Sequence, residues 1–136
     1  MRREITLAMV LVSALLACKS GSGGSGSSKT AEVSVPVQQL LLEYKANEVA
    51  ADQKYKGKRD RTTGVVDEIK KDFVDSIYVT IGTGAEFEIP SAQCYFDSSL
   101  ANKAAALSKG QTISVDCDCD GLMLNVQMRN CAFVTQ

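Results

Sequence analysis

One segment near the C-terminus constrains the fold more than any other. TISVDCDCDGLMLNVQMR, residues 112 to 129, alternates apolar and polar residues on both sides of Asp120-Gly121. Alternation is typical of strands with one buried face, and Asp-Gly favours a two-residue hairpin turn. A hairpin that turns there predicts four apolar pairs across the strands: Cys119–Leu122, Cys117–Leu124, Val115–Val126 and Ile113–Met128. Because a slip of one residue would break every pair, the pattern predicts this hairpin in this register.

The aspartates of this segment could also be read as a calcium loop. Such a loop needs a bidentate Glu at its twelfth position and a helix on each side. Counted from Asp116, the twelfth position is Gln127, and both flanks indicate strands. We therefore expect Asp116 and Asp118 to be solvated strand carboxylates, and we predict no metal site.

Patterns upstream of this hairpin predict the rest of the domain. They indicate, in order, a helix from Ser34 to about Asp52, a strand from Arg59 to Ile69 with Gly64 at a bulge or bend, a hairpin over 77–89 whose second arm continues through 91–96, and a short helix over 99–109. Five strands, with the second helix between the third and fourth, match a small closed oligonucleotide/oligosaccharide-binding (OB) barrel. The predicted fold is therefore mainly β, with an N-terminal helix.

The first eighteen residues, MRREITLAMVLVSALLAC, have the character of an export signal. Arg2 and Arg3 precede an apolar run from Ile5 to Ala17. This run is shorter than the ~20 residues of a transmembrane helix and suits a secretory signal peptide. Its end, Leu15-Leu16-Ala17-Cys18, resembles a bacterial lipobox, which implies cleavage before Cys18 and acylation of that residue. An ordinary signal peptide and an uncleaved anchor are the alternatives.

A Gly/Ser-rich stretch, KSGSGGSGSSK, follows the lipobox and is typical of a flexible tether. Eleven such residues reach about 20 Å, so we expect the domain to work close to the membrane. The predicted organisation is a signal peptide over 1–17, a lipidated cysteine and tether over 18–33, and an OB-fold domain over 34–136. The residue after Cys18 is Lys19 and not an aspartate, which resembles the pattern of lipoproteins sorted to the outer membrane. The expected location is therefore the cell envelope, on the periplasmic side of the outer membrane in a Gram-negative cell.

Four cysteines remain besides Cys18, and export would place them where disulfides persist. In the predicted register Cys131 lies roughly 23 Å along the strand from the partner of Cys117. A single bridge between Cys94 and Cys131 is therefore predicted, with Cys117 and Cys119 as buried thiols. A thiol-exchange pair and a four-cysteine zinc clip are the alternatives. Nearby aspartates disfavour the first, and the predicted register disfavours the second.

The segment NEVAADQKYKGKRDRTTGVVDEI, residues 47 to 69, resembles a family signature. The matching positions are Asn47, Ala51, Tyr55, Gly57, Lys58, Gly64, Val66 and Ile69. Together with QCYF, LSKGQTISVDC and RNCAFV, they make residues 36 to 134 similar to the tRNA_anti-like (tRNA-anticodon-domain-like) family of exported bacterial OB-fold proteins and lipoproteins. The resemblance implies the OB fold; the family name describes a likeness of fold and does not identify a ligand. We expect Asn47, Tyr55 and Lys58 to be structural.

Composition argues against catalysis. The chain has no histidine, and it shows no nucleophile elbow and no Gly-rich phosphate loop, so we expect no enzyme activity and no cofactor. OB barrels bind ligands on their second and third strands. The outward candidates there form a weakly acidic set with aromatics, which suits a wall glycan or a partner protein: Tyr78, Thr80, Glu86, Glu88 and Tyr95. The predicted function is a non-catalytic binding or structural module of the envelope.

Nucleic-acid or anionic-polymer binding is the alternative function. It depends on KYKGKRDR, whose basic residues surround Tyr55 and could form a groove for a single strand: Lys54, Lys56, Lys58, Arg59 and Arg61. A solvated strand edge, or attraction to anionic lipid, would explain the same charges. The net charge of −1 gives no global attraction to nucleic acid, and little nucleic acid is expected outside the cytoplasm.

Overall fold

The computed structural model describes residues 29 to 135, so the predicted signal peptide, Cys18 and most of the predicted tether lie outside the described residues. The elements are β1 (Val33–Pro36), α1 (Val37–Ala46), α2 (Glu48–Tyr55), β2 (Arg59–Lys71), β3 (Ile77–Gly82), β4 (Ala92–Phe96), α3 (Ala101–Ala105), β5 (Thr112–Met123) and β6 (Asn125–Phe133), with a 3-10 turn at Ser98–Leu100. Between residues 29 and 135, none of the helices has the length and apolar character needed to cross a bilayer.

Five of the strands close into a barrel. The order is β2-β3-β4-β6-β5, and β5 pairs back onto β2. All neighbours are antiparallel except β4 and β6, which run parallel, and α3 lies between β4 and β5 in the chain. This arrangement confirms the predicted mainly β OB-fold barrel with a short helix between its third and fourth strands. The sixth strand, β1, was not predicted; it adds to the first half of β2 in parallel.

The N-terminal segment differs from the single predicted helix. Residues 33–36 form β1, and Pro36 stands at the N-cap of α1. Asn47 has an extended backbone that ends α1, and its side-chain oxygen accepts a hydrogen bond from the amide of Ala50 at 3.1 Å, which caps α2. Such caps satisfy amides that lack a partner within the helix. The helical periodicity was read correctly, but this capping residue divides the helix in two.

The hairpin predicted over 77–89 is wrong in its second arm. Strand β3 ends at Gly82, residues 83–91 form a loop, and the next strand begins at Ala92. The carboxylate of Glu88 accepts a hydrogen bond from the amide of Thr83 at 2.7 Å, which folds the loop back on itself. Phe87 adopts a left-handed backbone with φ 55°, which an extended arm does not permit. The predicted third strand over 91–96 is confirmed as β4.

The C-terminal hairpin exists, but its turn lies at Leu124 rather than at Asp120-Gly121. Leu122 pairs with Val126, and Cys119 pairs with Met128, so the predicted register is wrong. Gly121, with φ 89°, instead lies next to a shift in register within β5. The predicted inward face of the first arm is confirmed, since Ile113, Val115, Cys117 and Cys119 are all buried.

The displaced turn changes the cysteine pairing. Because Asp116 lies opposite Ala132, Cys131 lies close to Cys117, and these two form a disulfide with a Cα–Cα distance of 4.2 Å. The predicted bridge between Cys94 and Cys131 is therefore wrong, and Cys117 is not a thiol. Cys94 and Cys119 are buried free cysteines.

The helix α1 packs against the barrel at Gly64. A Cβ atom at this position would lie 2.8 Å from Cγ1 of Val37 and 3.1 Å from the carbonyl oxygen of Gly82. Gly64 keeps regular pairing with Ile113, so it marks a close approach of helix and strand and not a bulge, while the predicted bend stays a prediction.

Candidate ligand-binding face

Two tyrosines meet on the outer surface of the barrel. β3 and β4 are antiparallel neighbours, and Tyr78 lies directly opposite Tyr95. Val79 and Cys94, adjacent to them in sequence, are buried, so alternation turns both tyrosines outward. The ring centroids are 5.5 Å apart and the planes are inclined by 47°. The sequence predicted both residues as part of a ligand face, and the structure brings them together.

Arg129 extends this pair from the neighbouring strand β6. Its guanidinium carbon lies 4.3 Å from the centroid of the Tyr95 ring, within the range of cation–π attraction. Its Nε is 3.7 Å from a carboxylate oxygen of Asp120, and both side chains are solvent-accessible. The sequence pattern did not identify Arg129 as a site residue. The available signal was the OB strand order, which sets the fifth barrel strand beside the third.

Amide side chains complete the surface. Gln93 donates from Nε2 to the Tyr95 hydroxyl at 2.7 Å, which leaves the hydroxyl proton free to donate. Asn125 donates to Oε1 of Gln93 at 3.3 Å and accepts from the amide of Ser91 at 3.0 Å. We call the surface formed by Tyr78, Gln93, Tyr95, Asn125 and Arg129 the tyrosine face. It offers aromatic rings, neutral hydrogen-bonding groups and one cation.

The other three predicted face residues lie elsewhere. Thr80 is buried, and its hydroxyl accepts a hydrogen bond from the amide of Glu68 at 3.1 Å. Glu86 and Glu88 belong to the loop over 83–91. Together the three line a separate cleft of about 420 Å³. The alternation over 86–89 predicted a strand here, and therefore one continuous face with the two tyrosines.

The predicted basic groove is largely neutralised. Four of its five residues form ion pairs: Lys54 with Glu43 at 2.8 Å, Lys56 with Asp52 at 3.9 Å, Arg59 with Asp118 at 3.1 Å, and Arg61 with Asp116 at 2.7 Å. The hydrogen bond from Lys54 holds the pKa of Glu43 down at about 2, and the one from Arg61 lowers the pKa of Asp116. Anion binding through this segment stays a prediction, but its geometry does not present five free cations.

Two members of this segment have visible structural roles. Arg59 is buried; it donates from Nε to the carbonyl of Lys29 at 3.0 Å and from Nη1 to the carbonyl of Asn130 at 3.1 Å, which ties the start of the described chain to the barrel. Tyr55, at the centre of the segment, is fully buried in the core. It therefore cannot act as an exposed stacking platform for a base.

Three cysteine sulfurs converge inside the barrel. The Sγ atoms of Cys94, Cys117 and Cys131 lie within 4.8 Å of one another. Two of them form the disulfide, and burial raises the pKa of Cys94 to about 12. Metal binding by cysteine requires thiolates, so two disulfide sulfurs and one protonated thiol offer no ligand set at neutral pH.

Two solved structures share the fold of this chain. A lipoprotein from Klebsiella pneumoniae subsp. pneumoniae MGH 78578, with a proposed nucleic acid-binding role, has 21% identity and a TM-score of 0.60, over 74% of this chain and 92% of its own. A proposed aspartyl-tRNA synthetase from Leishmania major Friedlin has 11% identity and a TM-score of 0.50; it covers 84% of this chain, which corresponds to only 23% of that protein. At these identities the likeness concerns the fold alone.

No curated protein matches the chain. A family profile does match, over residues 1–132. This range includes the signature over 47–69 and all five residues of the tyrosine face. The resemblance found in the sequence is thereby confirmed: the chain belongs to the tRNA_anti-like family.

Proposed function

We propose that this protein is a non-catalytic binding module of the cell envelope whose ligand lies across the tyrosine face. The observation that carries the proposal is the pairing of Tyr78 with Tyr95, extended by Arg129 over the Tyr95 ring. These residues lie on the second and third barrel strands and on the strand beside them. That is the surface on which OB folds bind oligonucleotides and oligosaccharides.

A glycan polymer of the cell wall is the ligand that we favour. The amides of Gln93 and Asn125 can each donate to and accept from hydroxyl groups, and they stand beside two aromatic rings. Recognition sites for neutral ligands commonly combine apolar walls with a few polar groups of this kind. The basic residues that would attract phosphates are mostly held by carboxylates elsewhere on the barrel.

Membrane attachment through Cys18 is the second part of the proposal. It is supported by the lipobox-like end of the apolar N-terminal run and by the Klebsiella lipoprotein of the same fold. Arg59 holds the carbonyl of Lys29, so roughly ten residues separate the proposed lipid from the barrel. A tether of this length reaches about 20 Å, which keeps the tyrosine face near the membrane. The periplasmic side of the outer membrane is the proposed location in a Gram-negative cell.

Single-stranded nucleic acid is the second candidate ligand. A guanidinium stacked on an aromatic ring is also a feature of single-strand binding, and the Klebsiella lipoprotein has a proposed nucleic acid-binding role. In this case too the contact surface would be the tyrosine face, because Tyr55 is buried and four of the five basic residues over 54–61 are ion-paired.

One comparison separates the two ligands. Full-length protein in detergent is titrated with soluble peptidoglycan fragments and with a single-stranded oligonucleotide of matched length, at about 50 and about 200 mM salt. We expect the glycan to bind with an affinity that changes less than about twofold with salt, since few charges are neutralised. Oligonucleotide binding that falls steeply with salt, without glycan binding, would favour the second candidate.

A further inference from the structure

Two loops of the barrel meet in a cleft whose walls are apolar and acidic. The loop over 83–91 contributes Phe87 and Ile89, and the tip of the β5–β6 hairpin contributes Leu124. Phe87 is 95% exposed and Leu124 is 74% exposed. We call this region the loop cleft. It shares only Asn125 with the tyrosine face.

The backbone conformation of Phe87 and Leu124 is unusual for apolar residues. Phe87 has φ 55° and Leu124 has φ 61°, so both occupy the left-handed region. That region suits Gly and Asn and is strained for bulky residues. An exposed apolar side chain at such a position gains little for folding. Two of them lining one cleft indicate that the side chains serve a contact outside the domain.

The charges around the cleft define the kind of contact. Four carboxylates line it against one lysine: Asp67, Glu68, Glu86 and Glu88 against Lys109. Lys109 pairs with Asp67 at 3.0 Å, and Lys70, from outside the cleft, pairs with Glu68 at 2.7 Å. Glu86 forms no ion pair with any residue between 29 and 135. The surface is therefore apolar with a negative rim.

We propose that the loop cleft docks an extended segment of a partner protein that carries alternating basic and apolar residues. Apolar side chains of the segment would pack between Phe87 and Leu124, and its cations would face Glu86 and the neighbouring carboxylates. A negative rim disfavours anionic lipid headgroups and also a second copy of the same cleft. The proposal is independent of the ligand of the tyrosine face, and its failure would leave the proposed function standing.

The test uses fluorescence anisotropy with a labelled peptide of about ten alternating Lys and Leu residues, and full-length protein in detergent. The variant Phe87→Asn with Leu124→Asn removes both apolar side chains. It suits the left-handed backbone, so we expect it to fold with at least the original stability. We expect it to weaken peptide binding by about tenfold or more, and Glu86→Gln to weaken it by about two- to threefold.

Matched controls make the result specific. Phe73 is 98% exposed in the β2–β3 turn, outside the cleft, so Phe73→Asn should leave peptide binding unchanged. A Glu–Leu peptide of the same length should bind at least tenfold more weakly, because its carboxylates are repelled by those of the cleft. A repulsion of about 1.4 kcal/mol is enough for a tenfold loss of affinity. The proposal is overturned if no peptide binds, or if Phe73→Asn weakens peptide binding as much as the double variant does. It is also overturned if the double variant leaves peptide binding unchanged and abolishes self-association or vesicle binding instead.

Discussion

Tyr78 lies directly across from Tyr95 on adjacent antiparallel strands, with ring centroids 5.5 Å apart. Neither ring is required to close the core, because both point outward from strands whose neighbouring residues are buried. A pair of aromatic rings on the outside of an OB barrel is therefore available to a ligand.

Removing either ring should weaken ligand binding without unfolding the barrel. We expect Tyr78→Ala and Tyr95→Ala each to cost about 1–2 kcal/mol of binding, roughly a tenfold loss, because each removes a large contact surface. Tyr95→Phe keeps the ring and loses only the hydroxyl that Gln93 contacts, so its loss should be smaller. Calorimetric titration measures all three, and equal losses for Tyr95→Phe and Tyr95→Ala would contradict a stacking role.

The disulfide should be a main support of the C-terminal hairpin. Cys117 and Cys131 are 14 residues apart, and closing a loop of that size stabilises a fold by about 3 kcal/mol. We expect the double variant Cys117→Ala/Cys131→Ala to lose about that much in urea unfolding. Cys94→Ala, which removes a buried thiol near the bridge, should cost about 1 kcal/mol.

Alkylation counts check the pairing independently of stability. Unfolded in the absence of reductant, the domain should expose two reactive thiols, Cys94 and Cys119, and peptide mapping should find both. Recovery of a Cys94–Cys131 peptide, or alkylation of all four domain cysteines, would show that the bridge is not the one described.

Asp60 should make the fold less stable as pH rises. It is fully buried, neither carboxylate oxygen has a hydrogen-bond partner within residues 29–135, and burial raises its pKa to about 7 from 3.8. Between these values the folded state binds more protons than the unfolded state, so the free energy of unfolding falls as pH rises from about 4 to about 7. At about 1.4 kcal/mol per pH unit, the loss amounts to at most about 4 kcal/mol.

The variant Asp60→Asn isolates this effect, because it keeps the shape of the side chain and cannot ionise. Urea unfolding at about pH 4.5 and about pH 8 should show a decline for the original protein and a much smaller one for the variant. Parallel curves for the two proteins would mean that folding does not raise the pKa of Asp60.

Gly64 should not tolerate a side chain. An alanine Cβ would lie 2.8 Å from Val37 and 3.1 Å from the backbone of β3 at Gly82. We expect Gly64→Ala to cost about 1–3 kcal/mol in the free energy of unfolding, since α1 must move away from the barrel. Val37→Ala shortens the opposing side chain and makes room for the new methyl group. The double variant should therefore lose less stability than the sum of the losses measured for the two single variants. Strict additivity would argue against this contact.

Periodicity predicted the barrel because strands such as β4 and β5 bury alternate residues, as Ile113 and Val115 do. It failed on the register of the last hairpin because two turn sites compete. Asp120-Gly121 has the favoured turn residues, yet the chain turns at Leu124. The buried face of the first arm is the same in either register, so local pattern could not distinguish them. The incorrect turn then produced the incorrect cysteine pairing.

The candidate site was half predictable for a similar reason. Tyr78 and Tyr95 follow from strand alternation, which is local. The contact of Arg129 with Tyr95 depends on β6 running parallel to β4, a long-range pairing that sequence spacing does not show. Glu86 and Glu88 were placed on a strand because Phe87 and Ile89 alternate with them, whereas a hydrogen bond between Thr83 and Glu88 folds that segment into a loop.

The tyrosine face as ligand site is tested most directly by amide chemical-shift mapping during titration with soluble peptidoglycan fragments. We expect shifts to concentrate at the backbone amides of Tyr78, Gln93, Tyr95, Asn125 and Arg129, and Tyr95→Ala to require about tenfold more ligand to produce them. Shifts confined to residues 54–61, or to the loop cleft, would contradict it. So would shifts at the tyrosine face that persist unchanged in Tyr95→Ala.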